Sequence, residues 1–288
     1  MTKERIGFIG LGAMGLPMAR NLLKNGYPLA VAVNRNRKPV DELVRLGAVE
    51  LASTDEVIAG SDVICTILPA DAEMESVLLA DRALAGVRPG QALIEMTSGT
   101  PSMMRRVAEA WQVRGAQVLD APVSGGTVGA EQGTLTVMAG GDPGVLERVR
   151  PVLDAMARKI YRVGEIGSGK AIKAINQMLA AIHMMAVAEA AALAEKLGID
   201  ASILKEVIGA SSGASWMMAN KLDGLLGRQF DPGFKLALMK KDIGIAVSEA
   251  GGDLRLDLAR FVLDAYEQAS VRYGELDFSA ISMRIRED

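Results

Sequence analysis

Short runs of consecutive apolar residues recur through the first half of the chain, and stretches with helical periodicity separate them. The runs cover residues 6–9, 29–33, 63–68, 92–96, 118–120 and 135–138, and the first predicted helix covers about 14–25. Strands that are apolar on both faces and alternate with helices are typical of a parallel sheet covered by helices on each side. The pattern predicts an α/β domain with a doubly wound sheet.

The pattern changes after about residue 163, where no further strand is indicated. Residues 171–197 form one long predicted helix that is apolar nearly all round its middle, and more helices are indicated at about 202–208, 235–249, 256–273 and 278–284. A helix that is apolar on every side has to be covered by a larger body or by another chain. We therefore expect an α/β domain over residues 1–163, then an all-α domain over 164–288 that begins with a long interdomain helix.

A glycine-rich turn joins the first predicted strand to the first helix. Its residues are Gly10, Leu11, Gly12, Ala13, Met14 and Gly15. They follow the pattern G-x-G-x-x-G in the strand-to-helix context that gives this pattern meaning. The first glycine permits a tight bend, the second lets a diphosphate approach the backbone, and the third lets helix and strand pack closely. The turn predicts a dinucleotide site, and the N-terminal domain is expected to be of the Rossmann type.

The segment after the second strand bears on which dinucleotide is bound. An acidic residue about 20 positions after the glycines would bind the ribose 2′-hydroxyl of NAD. This chain instead has Asn34, Arg35, Asn36, Arg37 and Lys38 there. The cations suit a 2′-phosphate, for which Arg offers a planar set of donors. We expect NADP as the preferred cofactor, with NAD possible, and the alternative is a solvated basic loop.

The amino-acid composition excludes several kinds of site and partner. The chain has 288 residues, a formal net charge of −3, one His and one Cys. A disulfide within the chain is impossible, and a zinc site built from Cys and His lacks ligands. The charge balance gives no general reason to bind nucleic acid, and we see neither a secretory signal nor an apolar stretch of spanning length. We expect a cytoplasmic protein with no metal and no nucleic-acid or membrane partner, in which Cys65 packs inside its strand and His183 lies in a core or interface.

A second glycine-rich segment is a false lead. Residues 164–170 match most of the nucleotide-binding P-loop, in which Ser or Thr follows G-x-x-x-x-G-K. The next residue here is Ala171, so the hydroxyl that would bind Mg²⁺ is missing. An ATPase is therefore excluded.

Three further segments join the glycine turn to suggest a family. They are residues 120–127 (DAPVSGGT) with 133–135 (GTL) shortly after, residues 167–176 (GSGKAIKAIN), and the segment from Phe234-Lys235 to Lys241-Asp242. Together with residues 7–15 they make the chain resemble the β-hydroxyacid dehydrogenases, which include 3-hydroxyisobutyrate dehydrogenase and tartronate semialdehyde (glyoxylate) reductase. The resemblance covers nearly the whole chain. It implies hydride transfer between a nicotinamide cofactor and a small β-hydroxy acid or its semialdehyde, by a homodimer or homotetramer formed through the helical domain.

The resemblance also implies a catalytic group. Lys173 matches the family's catalytic lysine, which would remove the hydroxyl proton in oxidation and return it in reduction. Asn176 and Gln177 lie three and four residues later, on the same helical face. We expect both to bind substrate with Lys173, and Asn176 to take part in catalysis. Lys170, one turn before Lys173, is expected to be its solvated neighbour.

The remaining site residues come from loops. Ser124, Gly125 and Gly126 resemble the family's carboxylate-binding loop, in which consecutive backbone N–H groups and a hydroxyl can face an anion. Further cofactor contacts are implied at two strand ends and on a late helix, by Leu68, Pro69, Thr97, Ser98 and Lys241. The choice between Thr97 and Ser98, and that between Lys240 and Lys241, stays open.

Two other functions remain as alternatives. Imine reductases have a similar fold and cofactor loop, but they usually lack the lysine, so Lys173 argues against them. A non-catalytic module that senses NADP(H) would be free to lose Lys173, Asn176 and the Ser-Gly-Gly loop together. All three are present in this sequence.

Overall fold

The computed structural model describes residues 3–286, which divide into two compact units. The first unit ends at Lys173 and the second begins at Ala174. All the strands assigned to the described residues lie in the first unit, and the second is helical. This confirms the predicted fold class, a Rossmann-type α/β domain followed by a helical domain. The division falls inside one long helix, and the expected domain limits, 1–163 and 164–288, stay a prediction.

The strands of the first unit form one mixed sheet. They are β1 (Ile6–Ile9), β2 (Leu29–Ala32), β3 (Val49–Leu51), β4 (Val63–Thr66), β5 (Ala92–Glu95), β6 (Gln117–Asp120), β7 (Val123–Ser124), β8 (Leu135–Gly140) and β9 (Ala157–Gly164). Strands β3, β2, β1, β4, β5 and β6 lie side by side and run parallel. Strand β8 is antiparallel to β6 and β7 and parallel to β9. The strand order reverses at β1, and ligands of doubly wound sheets bind beyond the strand ends at such a point.

Helices connect the strands and make up the second unit. The helices of the first unit are α1 (Gly15–Lys24), α2 (Lys38–Arg45), α3 (Thr54–Gly60), α4 (Asp71–Leu78), α5 (Asp81–Gly86), α6 (Pro101–Gln112), α7 (Gly126–Gln132) and α8 (Pro143–Asp154). The long helix α9 (Ser168–Lys196) runs from the first unit into the second. The second unit continues with α10 (Ala201–Gly209), α11 (Trp216–Leu226), α12 (Leu236–Glu249), α13 (Asp257–Tyr273) and a 3₁₀ helix (Phe278–Arg286).

Both faces of the parallel sheet are buried, as the apolar runs predict. Along β4, Val63 and Cys65 pack into one hydrophobic cluster and Ile64 packs into another. Successive side chains of a strand point to opposite faces, so the two clusters are the two helix-covered sides of the sheet. Cys65 is fully buried, which confirms its predicted packing role, and burial raises the pKa of its thiol.

Helix α9 is covered on one side only within the single chain. Ala181, Met184 and Ala188 are buried in the core of the second unit, while His183 is exposed. Among the described residues, α9 is the one helix long and apolar enough to cross a membrane by length and composition. This is weak evidence for a span, because the core helices of soluble proteins pass the same test.

The elements missing from the sequence prediction lack an apolar run or a clear periodicity. Strand β3 is largely exposed, and β9, which pairs with β8, contains Arg158, Lys159 and Arg162 among its apolar residues. Helix α11 follows a Gly/Ser-rich segment and begins at Trp216, where no helix was expected. Edge strands bury one face at most, so their sequences carry a weaker hydrophobic signal.

Candidate active site

The glycine turn after β1 needs glycine at two positions for steric reasons. Gly10 has a φ of +100°, and a Cβ there would lie 2.0 Å from the backbone oxygen of Ile67. A Cβ on Gly15 would lie 1.8 Å from the backbone oxygen of Gly10. A Cβ on Gly12, by contrast, would have no atom of the described residues within 4 Å apart from its own chain neighbours. The turn is therefore tightly packed underneath and open at its middle glycine.

The start of helix α1 suits an anion. The helix begins at Gly15, its N-cap residue Met14 offers no side-chain acceptor, and no acidic residue lies in its first turn. The first N–H groups of a helix need acceptors, and the positive end of its dipole favours negative charge. The open space beside Gly12 and this uncapped helix end fit the diphosphate of a dinucleotide.

The basic loop after β2 contains one arginine that is held by carboxylates. Arg37 forms ion pairs with Glu50 at 2.6 Å and with Asp41 at 3.0 Å. For Arg35 and Lys38, which are exposed, no ion pair is recorded with any residue from 3 to 286. The positive charge of Arg37 is thus compensated within the protein, whereas Arg35 and Lys38 present theirs to solvent.

Thr97 ties the ends of two neighbouring strands together. Its hydroxyl oxygen accepts a hydrogen bond from the backbone N–H of Leu68 at 2.8 Å, and its own N–H donates to Glu95 Oε1 at 3.1 Å. Thr97 is fully buried, while Ser98 is partly exposed. The two hydroxyls therefore differ in access to a ligand, which sequence could not decide.

Lys170 lies in a buried cluster of charges, and its expected role as a solvated neighbour is wrong. Its side chain is fully buried, with Nζ 2.5 Å from Glu95 Oε2 and 3.1 Å from Asp120 Oδ1. Burial by itself lowers the pKa of Lys170, but the two carboxylates outweigh it and raise that pKa. Glu95 and Asp120 are direct partners in the register of β5 and β6, so the sheet brings together charges that lie far apart in sequence.

The same cluster holds the beginning of helix α9. Asp120 Oδ2 accepts hydrogen bonds from the backbone N–H of Gly167 at 2.9 Å and of Lys170 at 3.2 Å. A carboxylate in this position satisfies N–H groups that have no partner inside the helix. Acidic residues that end two otherwise apolar strands were the signal in the sequence for this arrangement.

Lys173 lies one turn further along α9 and is only 7% exposed. The alternative of an ordinary surface lysine therefore does not hold. Lysines are rarely buried without a specific partner. Its position in the chain, six residues after Gly167 and three before Asn176, is the one that the resemblance assigns to a catalytic lysine.

The Ser-Gly-Gly segment forms a turn in which two consecutive residues have a positive φ. Gly125 and Gly126 have φ values of +133° and +62°. Within residues 3–286, and leaving its chain neighbours aside, no atom would lie within 4 Å of a Cβ on Gly126. Ser124 closes strand β7 and is partly buried. This backbone conformation requires glycine and leaves one side of the turn open.

A chain of polar side chains lies in the second unit. Asn176 Nδ2 donates to Gln177 Oε1 at 3.0 Å, and Gln177 Nε2 donates to Asp242 Oδ2 at 2.9 Å. Lys241 Nζ lies 2.8 Å from the other carboxylate oxygen, Asp242 Oδ1. Asp242 is 1% exposed, and nothing in the sequence singled it out beyond its place beside Lys241. This ion pair distinguishes Lys241 from Lys240.

The expected site residues of the first unit collect at one edge of the sheet. The glycine turn follows β1, Leu68-Pro69 follow β4, Thr97-Ser98 follow β5, and Ser124 ends β7. The carboxyl ends of parallel strands meet at the same edge. Asn176, Gln177 and Lys241 belong to the second unit.

Comparisons with known proteins identify the family. Residues 5–164 match the family described as the NAD binding domain of 6-phosphogluconate dehydrogenase, and residues 167–284 match that described as NAD-binding of NADP-dependent 3-hydroxyisobutyrate dehydrogenase. The NAD-dependent L-serine dehydrogenase of Pseudomonas aeruginosa is 40% identical over 294 residues, which cover 96% of each chain. The chain belongs to the β-hydroxyacid dehydrogenase family. It is an NAD(P)-dependent hydroxyacid dehydrogenase.

Solved structures agree with this β-hydroxyacid dehydrogenase fold. The 3-hydroxyisobutyrate dehydrogenase of Mycobacterium tuberculosis, determined with L-serine, superposes with a TM-score of 0.91 at 34% identity and covers 99% of this chain and 100% of its own. An imine reductase from Streptomyces aurantiacus superposes with a TM-score of 0.66 at 22% identity, covering 98% and 100% of the two chains. The second likeness shows a shared fold alone.

Proposed function

We propose that this enzyme interconverts a small β-hydroxy acid and its semialdehyde, with NADP as the preferred cofactor and Lys173 as the general acid and base. The observation that carries the proposal is the burial of Lys173, only 7% exposed, on α9 three residues before Asn176. L-Serine, named with two of the relatives, has a hydroxyl on the carbon β to its carboxylate. A substrate of that kind needs one anion site and one proton acceptor near the hydroxyl.

The chain's own residues supply binding and proton transfer. In oxidation, the neutral amine of Lys173 takes the hydroxyl proton while the C–H bond on the same carbon breaks and a carbonyl forms. A bound nicotinamide supplies the hydride acceptor. In reduction, the Lys173 ammonium returns the proton to the developing alkoxide. The backbone N–H groups of Gly125 and Gly126 and the hydroxyl of Ser124 bind the carboxylate, and Asn176 orients the substrate.

The preference for NADP rests on the two exposed cations of the basic loop. Arg37 is paired with Glu50 and Asp41, so Arg35 and Lys38 are the groups that bind the 2′-phosphate, with Asn34 and Asn36 beside them. The L-serine dehydrogenase relative is named NAD-dependent, so both cofactors occur in the family. Substituting Arg35→Ser should lower kcat/KM for NADP about 10- to 100-fold, because it removes a hydrogen bond between charged groups. The kcat/KM for NAD should stay within about threefold of the wild-type value.

The control for this substitution is Arg114→Ser. Arg114 is exposed and donates to the backbone oxygen of Ala110, away from the basic loop in sequence, so neither cofactor should be affected. Equal losses with NADP and NAD in Arg35→Ser would contradict the assignment of the 2′-phosphate site. A wild-type enzyme that prefers NAD would contradict it as well.

The test of the reaction is cofactor reduction with NAD and NADP against 3-hydroxyisobutyrate, glycerate, serine, threonate and 4-hydroxybutyrate. Turnover of a β-hydroxy acid supports the proposal. No turnover with any of them, alongside clear turnover of cyclic imines, would overturn it in favour of imine reductase. Tight NADP binding without turnover of either class would indicate the non-catalytic sensing module.

We also propose a homodimer or homotetramer assembled through the helical domain, and a cytoplasmic location. One side of α9 carries apolar residues that are 39 to 64% exposed. Three lie near its start, three and four positions apart, and two lie four positions apart at its end: Ile172, Ile175, Leu179, Leu193 and, directly after the helix, Leu197. Exposed apolar surface of this kind marks an interaction site. Sedimentation equilibrium at micromolar concentration should give a multiple of the chain's mass of 30.4 kDa, and a monomer would contradict the proposal.

A further inference from the structure

Three hydrogen-bonding side chains and a lysine form a continuous polar chain in the helical unit. Its members are Asn176, Gln177, Asp242 and Lys241, joined by contacts of 3.0, 2.9 and 2.8 Å. We call it the amide relay. Gln177 and Asp242 are 6% and 1% exposed, so water has little access to the middle of the relay and its hydrogen bonds depend on the protein's own atoms.

The carboxylate gives the relay a direction. Asp242 pairs with the Lys241 ammonium through Oδ1 and, as a carboxylate, can only accept hydrogen bonds. The group of Gln177 that faces Asp242 must therefore be its NH₂, which leaves Oε1 facing Asn176. An amide oxygen can only accept, so Asn176 must present its NH₂ to Gln177. The two amide orientations follow from donor and acceptor chemistry and not from a choice between similar atoms.

The direction of the relay decides which atom Asn176 can offer to the reaction. With Nδ2 hydrogen-bonded to Gln177, the carbonyl oxygen Oδ1 is on the opposite branch of the amide. Asn176 lies one helical turn after Lys173. A lysine that gains and loses a proton is served by a neighbouring acceptor, because an amide NH₂ directed at an ammonium repels it.

We infer that Gln177 and Asp242 are positioning residues that hold the Asn176 amide with its carbonyl oxygen as the reactive-site acceptor. The inference rests on the proposed function for the role of Asn176. It gives Gln177 a positioning role beside the substrate contact expected for it, since each end of that amide makes one hydrogen bond within the relay. Reversing Gln177 would set its oxygen against the Asp242 carboxylate, two acceptors in contact inside a buried pocket, so the relay admits one orientation.

A double-mutant cycle on kcat tests the inference. Gln177→Met removes both of its hydrogen bonds with a side chain of similar length, and we expect kcat for the fastest of the five hydroxy acids above to fall about tenfold. In an Asn176→Ala background the same substitution should change kcat less than twofold, because the relay then has no amide to orient. A merely structural role would give the same factor in both backgrounds, and that result would overturn the inference.

Two further measurements keep the result interpretable. Gln268→Met is the matched control, since Gln268 is exposed and accepts a hydrogen bond from Arg284, and its kcat should stay at the wild-type value. The dissociation constant for NADP should be unchanged in Gln177→Met. Loss of NADP binding would show general damage and would overturn the positioning role.

Neutron diffraction from crystals of the deuterated wild-type protein tests the relay without any turnover. Two deuterons are expected on the Asn176 atom that faces Gln177, and none on the Gln177 atom that faces Asn176. The reverse assignment would overturn the inference whatever the kinetics show. Full activity in Asn176→Ala and Lys173→Met would instead refute the proposed function, while the deuteron positions would still decide the direction of the relay.

Discussion

Lys173 lies on α9 between two polar networks of opposite construction. On its N-terminal side, Lys170 pairs with Glu95 and Asp120, and all three side chains are fully buried. On its C-terminal side, the amide relay of Asn176, Gln177 and Asp242 is made of neutral groups that end in one ion pair. The first network is stabilised by attraction between opposite charges, and the second by hydrogen bonds between matched donors and acceptors.

The difference shows what each kind of network can do. An ammonium has three equivalent donors and no acceptor. Carboxylates can therefore hold it in place, but it does not fix the orientation of a neighbouring group. An amide has a donor end and an acceptor end, so a chain of amides ending on a carboxylate fixes which atom is presented at its far end. The charged cluster accordingly secures the start of α9, and the relay orients a side chain.

The largest effect is expected from breaking the charged cluster. Lys170→Met leaves two carboxylates buried without their cation, and removing one partner of a buried ion pair costs about 3–5 kcal/mol. The free energy of unfolding, measured with urea, should fall by that amount. Lys38→Met, at an exposed lysine, is the control and should change it by less than about 0.5 kcal/mol. A loss below about 1 kcal/mol in Lys170→Met would contradict the structural role.

Lys173 lies on the same helix, and its substitution should show in turnover. Lys173→Met removes the general acid and base, so kcat should fall at least about 100-fold. A fall in kcat of less than tenfold would refute the catalytic assignment.

The sequence predicted the fold where the burial pattern was unambiguous. Six of the strands appeared as apolar runs because both of their faces are covered. Strand β9 was not predicted because Arg158, Lys159 and Arg162 interrupt it, and α11 because nothing in the Gly/Ser-rich segment before it marked a helix start. The hydrophobic pattern of a segment indicates which of its faces are buried. These elements are partly exposed or irregularly flanked, so their pattern is weak.

The site residues likewise divide into those that could be predicted from the sequence and those that could not. The glycine turn could be predicted from sequence because its glycines have local causes, close backbone contact at Gly10 and Gly15 and open space for a ligand at Gly12. The role of Lys170 could not, since it depends on Glu95 and Asp120 lying side by side at the ends of β5 and β6. Asp242 was missed for the same reason: its contact with Gln177 joins residues 65 positions apart. Contacts between residues that lie far apart in the sequence cannot be predicted from the spacing of neighbouring residues.

A smaller effect is expected from removing the direction of the relay while keeping its shape. Asp242→Asn can present either an oxygen or an NH₂ to Gln177, so the orientation of the Asn176 amide is no longer enforced. We expect kcat to fall about three- to tenfold, worth about 0.7–1.4 kcal/mol at the transition state, which is less than for Lys173→Met. Steady-state kinetics at saturating NADP measures this.

The control for the relay is Asp264→Asn on the exposed side of α13, which should leave kcat unchanged. A loss in Asp242→Asn as large as in Lys173→Met would mean that Asp242 acts on the reaction directly. Unchanged kcat would mean that the relay does not need the carboxylate to fix its direction.

The smallest effect concerns alkaline pH and separates the two networks once more. The carboxylates raise the pKa of Lys170 in the folded protein, so the folded state keeps this proton after the unfolded chain has lost it. The stabilisation is complete below the unfolded pKa of about 10.4 and is lost as pH rises towards the folded value, by at most about 1.4 kcal/mol per pH unit. Urea unfolding at pH 8 to 11.5 should therefore show a stability gap between wild type and Lys170→Met that is constant up to about pH 10 and narrows above it. Other lysines and tyrosines titrate in both proteins and cancel in the difference, whereas a gap that stays constant throughout would show that the folded and unfolded forms hold the Lys170 proton equally well.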